Sequence, residues 1–169
     1  MTKKIIFFDA DDTLWENEGY FRNAEKEFAA LLHHEADAAS VQQLLWTRQE
    51  GNIPIFGYGS KTYMLGMLDT AVELCGGNLS EEIYFGIKRI ITDLAYHRFE
   101  MIDGVEKVLG QIRDMGYELA VATKGDLTEQ LSKYRKSGLS RFFHHIEVLE
   151  NKDRQNYLEL CQKFDIRPE

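Results

Sequence analysis

Ile5-Ile6-Phe7-Phe8-Asp9-Ala10-Asp11-Asp12-Thr13-Leu14 is the stretch from which the rest of this chain is read. Four apolar residues in a row, without polar alternation, mark a strand covered on both faces, and the aspartates that follow mark a polar loop at its carboxyl end. Two similar runs lie far downstream. Tyr117 to Ala122 comes after a helical stretch, Val105 to Met115, and a Gly116 stop, and it gives way to Thr123-Lys124-Gly125-Asp126. Asp126 is expected to cap a helix from Leu127 to Lys136 that ends by Gly138. Ile146 to Leu149 reads as a third short strand, with a helix from about Asp153 to Phe164 behind it. Strands alternating with helices build a parallel sheet with right-handed crossovers, in which ligands bind at the carboxyl ends of the strands. Asp9, Thr123 and Lys152 fall at or just beyond those ends.

Between Leu14 and Phe99 the apolar period becomes helical: Tyr20 to Leu32, Val41 to Gln49, Lys61 to Leu74 and Glu82 to His97, with turn signals between. The 169 residues therefore read as a small α/β core, residues 1–14 and 100–169, interrupted by a helical insertion at residues 15–99. No internal repeat or low-complexity segment stands out, and two prolines make no proline-rich linker.

With 44% hydrophobic residues the chain can bury an ordinary core. Acidic residues outnumber basic ones 28 to 20, a net charge of -8, which argues against a broad nucleic-acid surface and requires a local basic site for any small anion. The four apolar residues before Asp9 are too few for a signal peptide or a membrane span, so no membrane partner is expected and the expected location is the cytoplasm. Cys75 and Cys161, far apart in apolar helical patterns, read as buried thiols in a reducing compartment.

Residues alternating out of a strand are expected to place Asp9 and Asp11 close together. Two nearby carboxylates repel, so such a site calls for a cation, a shared proton or strong hydrogen bonding, and hard oxygen ligands suit Mg²⁺. A carboxylate can attack phosphorus while a second carboxyl protonates the leaving oxygen and then activates water. Thr123, with Lys124 and Gly125 behind it, can supply a hydroxyl and backbone N–H groups to a transferring phosphoryl group, and Lys152 can supply positive charge. Each alone has an ordinary reading: an Asp-rich turn, a strand end, a solvated lysine.

Taken together, Asp9-x-Asp11-x-Thr13, then Thr123, then Lys152 resembles the haloacid dehalogenase-like hydrolases over nearly the whole chain. The resemblance implies an α/β fold: a Rossmann-like parallel sheet core that is catalytic, carrying an inserted helical cap of the phosphoglycolate-phosphatase-like type. It implies that Asp9 is nucleophile and metal ligand, that Asp11 is acid/base and a backbone-carbonyl ligand, that Thr123 binds phosphate and that Lys152 stabilises charge. Thr13, Lys124 and Gly125 join the substrate-binding set, the cofactor is Mg²⁺, and the substrate is a small phosphorylated metabolite. Asp11 favours phosphatase over dehalogenase chemistry, because halide leaves without a proton.

The family pattern continues into a fourth strand ending in acidic residues, and this sequence reaches Ile166-Arg167-Pro168-Glu169 before it. The core is thus expected to be incomplete at its carboxyl end, with a weakened metal site; Asp153 and Asp165 are not expected to replace the missing acids. The strand carrying Asp9 becomes an apolar edge that invites a homodimer. A catalytically impaired binding protein is the alternative reading. A phospho-accepting receiver fits poorly, since its aspartate follows the third strand, where this chain has Leu149-Glu150-Asn151.

Weaker signals lie in the insertion. Gly57 to Thr62 lacks the spacing of a phosphate loop and reads as a connector, with Tyr58 or Lys61 facing the substrate from the cap as the other possibility. Trp15, Tyr20, Phe21 and Trp46 read first as core aromatics, with lining the substrate cleft as the other possibility. The pairs His33-His34 and His144-His145 are expected to point apart rather than chelate.

Overall fold

The structure, a computed structural model, describes residues 4–96 and 100–167. Met1-Thr2-Lys3, the expected helix end at His97 and the terminal Pro168-Glu169 lie outside the described residues. In chain order the elements are β1 (Ile5–Phe8), α1 (Glu18–Leu31), α2 (Ala38–Phe56), α3 (Ser60–Leu74), α4 (Glu81–Tyr96), α5 (Val105–Asp114), β2 (Glu118–Lys124), α6 (Leu127–Lys136), β3 (His145–Leu149) and α7 (Arg154–Lys163). The chain divides into two compact units, Met1–Asn17 with Phe99–Glu169, and Glu18–Arg98.

In the first unit the strands form a parallel sheet in the order β1-β2-β3. Phe8 pairs with Val121, and Lys124 pairs with Leu149. The central strand is the most covered, with Leu119 to Thr123 all buried. Its helices begin and end on local signals. Asp126 accepts from the Glu129 amide at 3.1 Å and caps α6, as expected, and Asp153 caps α7 through the Asn156 amide at 2.9 Å. Leu14, Trp15, Leu109, Leu119, Val121 and Leu139 fill the core.

The second unit is four helices around Phe28, Leu32, Leu45, Met67, Ile87 and Ile90. Its one large departure from expectation is α2, which runs on from Gln49 to Phe56 through Gly51 and Pro54. Pro54 lies in the last turn, so its missing N–H removes one hydrogen bond from the end of the helix, and Gly57 closes it by donating to Ile53 O at 2.8 Å. Contacts with α3 hold the extension: Gln49 Nε2 donates to Tyr63 O at 3.0 Å and Asn52 Nδ2 to Asp69 at 2.9 Å. Gly66 makes the approach possible, since a Cβ there would lie 2.2 Å from Gln49 Nε2.

Among the described residues no helix is long and apolar enough to cross a membrane. Cys75 and Cys161 are free and half-buried, and burial, with the Glu35 charge behind it, pushes the Cys75 thiol up.

Candidate active site

Parallel pairing puts the carboxyl ends of β1, β2 and β3 on one edge, and the loops leaving that edge carry the expected residues. Asp9 is the first residue beyond β1. Buried Ala10 anchors the loop, its carbonyl accepting from Thr13 at 3.2 Å and Leu14 at 2.8 Å. Asp12 turns it with φ +56, a left-handed conformation that aspartate tolerates, and its carboxylate accepts from the Asn17 amide at 2.9 Å. Buried Leu14 and Trp15 pin the far side.

The Asp9 carboxylate projects into solvent, and its Oδ1 accepts from the Ala10 amide at 2.7 Å and from the Lys152 amine. Lys152 stands between β3 and the cap of α7. Asp153, beside it, has its carboxyl held below the usual range by its backbone and side-chain hydrogen bonds to Asn156, and is committed to capping.

Asp11 is held by a different set of donors. Its Oδ1 accepts from Trp15 Nε1 at 2.8 Å and Lys133 Nζ at 2.9 Å, and its Oδ2 from Gln130 Nε2 at 2.8 Å. Lys133 also donates to Asn17 Oδ1 at 2.6 Å. This changes the electrostatic argument: each carboxylate has its own lysine, so mutual repulsion does not by itself demand a metal.

Thr123 is buried at the end of β2, and its hydroxyl makes a long 3.4 Å bond to Lys124 O, which a better acceptor could replace at little cost. Lys124 is the last strand residue and Gly125, with φ +134, begins the turn. A Cβ on Gly125 would lie 2.8 Å from Gln130 Nε2, so this glycine admits the side chain that reaches Asp11. Thr13 is exposed in the first loop. Tyr58 and Lys61 belong to the helical unit, in the turn before α3 and in its first turn.

Sequence reasoning missed Gln130, Lys133 and Asn17, and it read Trp15 as core or cleft lining rather than as a donor to Asp11. Gln130 and Lys133 are three apart on α6 and share a face, a spacing visible in the sequence once Asp126 is taken as the cap. The His33 and His34 rings, expected to point apart, instead lie close together, with centroids 3.6 Å apart and planes tilted by 43°. Among the described residues no group of three or more His, Cys, Asp or Glu side chains gathers to hold a metal.

The first unit is thus a parallel α/β domain whose carboxyl edge carries two aspartates, each bonded to a lysine. The pattern of one family, haloacid dehalogenase-like hydrolase, matches residues 3–169, and the chain belongs to that family. It is similar to the crystal structure of a haloacid dehalogenase-like family hydrolase from Xanthomonas campestris, at 37% identity and a TM-score of 0.90, over 98% of this chain and 69% of that one. It is 19% identical to the glyceraldehyde 3-phosphate phosphatase of Methanopyrus kandleri, over 98% of this chain and 72% of that protein. A predicted phosphoglycolate phosphatase from Haemophilus somnus shares the fold at 19% identity and a TM-score of 0.58, over 98% of this chain and 72% of that one.

Proposed function

We propose that the chain is a Mg²⁺-dependent phosphomonoesterase acting on a small phosphorylated metabolite, with residues 1–14 and 100–169 as catalytic core and residues 15–99 as cap. The observation that carries this reading is the different setting of the two aspartates: Asp9 exposed and bonded to Lys152, Asp11 held by Trp15, Gln130 and Lys133. An exposed carboxylate beside an amine suits a nucleophile meeting an anion, and a held carboxyl suits proton transfer.

In the first step an Asp9 oxygen bonds to phosphorus as the bond to the leaving oxygen breaks, and Asp11 gives that oxygen its proton. Water then attacks the aspartyl-phosphate, passing a proton to Asp11 as the bond from Asp9 to phosphorus breaks. Phosphate leaves and both carboxyls return to their starting states. Lys152 offsets charge on Asp9 and the phosphoryl oxygens, while Thr123, Thr13, Lys124 and Gly125 donate to those oxygens.

The Asp9 carboxylate and the Asp11 backbone carbonyl are the oxygen donors that would hold Mg²⁺. They fit it in kind, because Mg²⁺ keeps several waters and takes one or two carboxylates together with substrate phosphate. Bound there, the ion would neutralise phosphate charge.

Charge supports the small-anion reading: a protein with a net charge of -8 places Lys124, Lys133 and Lys152 on the strand-end loops and the helix behind them. Among the described residues β1 has one neighbour in the sheet, and this open edge supports a homodimer.

The test is phosphate release from a panel of small phosphate esters with and without Mg²⁺. Turnover that vanishes with chelator and in Asp9→Asn supports the reading. Ester binding without turnover, unchanged in Asp9→Asn, would replace it with a non-catalytic binding role.

A further inference from the structure

The proton-transfer role given to Asp11 leaves open how its carboxyl is aimed, and the hydrogen bonds around it answer that. A carboxylate offers about four acceptor positions, two on each oxygen. On Oδ1 both are filled, by Trp15 Nε1 at 2.8 Å and Lys133 Nζ at 2.9 Å. On Oδ2 one is filled, by Gln130 Nε2 at 2.8 Å. The side chain is 23% exposed, so the remaining position on Oδ2 is within reach of a ligand.

The supports are themselves fixed. Lys133 is 16% exposed at its side chain and divides its amine between Asp11 and Asn17 Oδ1, 2.6 Å away. Asn17 is tied in turn through its amide to Asp12. Gln130 is 5% exposed and lies against Gly125, where a Cβ would collide with it. Its amide orientation is set by chemistry, since a carboxylate accepts and only the NH₂ end can face it. That leaves Gln130 Oε1 buried without a partner, at a cost the fold accepts while Nε2 serves Asp11.

We infer that Lys133 and Gln130 are positioning residues for proton transfer, which hold the Asp11 carboxyl so that Oδ2 is the oxygen that gives its proton to the leaving group. This rests on the phosphatase reading above. Neither residue touches the phosphate; both act through Asp11. As the phosphorus-to-oxygen bond breaks, the proton moves from Oδ2 to the departing oxygen, and Oδ1 stays bonded to Trp15 and Lys133 throughout. A carboxyl freed to rotate would spend most of its time misaligned, and misplacement on the order of 1 Å can lower a rate about 100-fold.

The experiment uses the full chain with Mg²⁺ and two aryl esters, phenyl phosphate and 2,4-dinitrophenyl phosphate. Dinitrophenolate departs readily without a proton, whereas phenolate needs one. The quantity compared is kcat/KM, which covers events up to leaving-group departure and excludes the later hydrolysis. Lys133→Met and Gln130→Leu are each expected to lower kcat/KM for phenyl phosphate roughly 10- to 100-fold and that for the dinitrophenyl ester less than about threefold. Activity on the dinitrophenyl ester also reports that the variant is folded. Equal losses on both esters would mean that the two residues merely support the fold, and no loss on either would mean that Asp11 needs no such support; each result overturns the inference. A parent chain inactive on both esters would overturn the phosphatase reading and this inference with it.

Discussion

Replacing Lys152 by Met separates a structural amine from a functional one, because the structure gives very different magnitudes for the two roles. The Lys152 side chain is 20% exposed and its partner Asp9 47% exposed, so their ion pair is open to water on its carboxylate side. Pairs of that kind stabilise proteins by about 0–1 kcal/mol, and Met retains the apolar stem, so Lys152→Met should unfold within about 1 kcal/mol of the parent. The reaction asks more of the same amine. Removing one preorganised donor from a developing oxyanion costs about 10²- to 10³-fold in kcat, or about 2.7–4 kcal/mol of transition-state stabilisation. The assay pairs urea unfolding with initial rates of phosphate release at saturating Mg²⁺, and the expected result is a rate loss several times larger in free energy than the stability loss. A kcat within about threefold of the parent would refute the role given to Lys152. A destabilisation above about 2 kcal/mol would show instead that this pair is a fold contact.

Three further outcomes follow from particular contacts. Gly125→Ala introduces a side chain at φ +134 and drives it against Gln130, so unfolding should lose about 1–3 kcal/mol; a loss below about 0.5 kcal/mol would mean the turn relaxes freely. In the helical unit, burial first, then the Glu25 charge and the hydrogen bond to it, push the Tyr63 phenol far above its ordinary value. A raised pKa stabilises the fold fully below the unfolded value near 10.0 and is lost as pH rises past it, so stability should fall by at most about 1.4 kcal/mol per pH unit in that range, a slope that Tyr63→Phe should flatten in denaturant melts. The open edge of β1 predicts concentration-dependent dimers in sedimentation velocity, and a single monomeric species at high concentration would count against them.

Those parts of the fold written in neighbouring residues were legible in the sequence. The continuous apolar run Ile5 to Phe8 is a strand over those same residues, and Asp126 caps α6 as its position before a helical pattern suggests. β2 runs two residues past its apolar stretch because Thr123 and Lys124 pair with Val148 and Leu149, a partnership with another strand. The end of α2 was hidden for the same reason. Gly51 and Pro54 are locally strong stop signals, yet the bonds from Gln49 and Asn52 to α3 outweigh them.

The site divides along the same line, and the division shows how each carboxylate is held. Asp9 and Lys152 are 143 residues apart but could be paired in advance, since each follows a strand that a parallel sheet brings to one edge. Gln130 and Lys133 are 119 and 122 residues from Asp11, and they sit inside a helix rather than at a strand end, so the sheet alone does not point to them. Without them, two aspartates in one loop read as a pair of charges needing a cation, a shared proton or strong hydrogen bonding. With them, the loop holds two carboxylates in different environments: Asp9 open to solvent with one oxygen on an amine and an amide, Asp11 partly covered with three donors on its two oxygens. Residues of identical chemistry, two positions apart, can then take different roles, because environment rather than side-chain type decides which carboxyl attacks and which moves a proton.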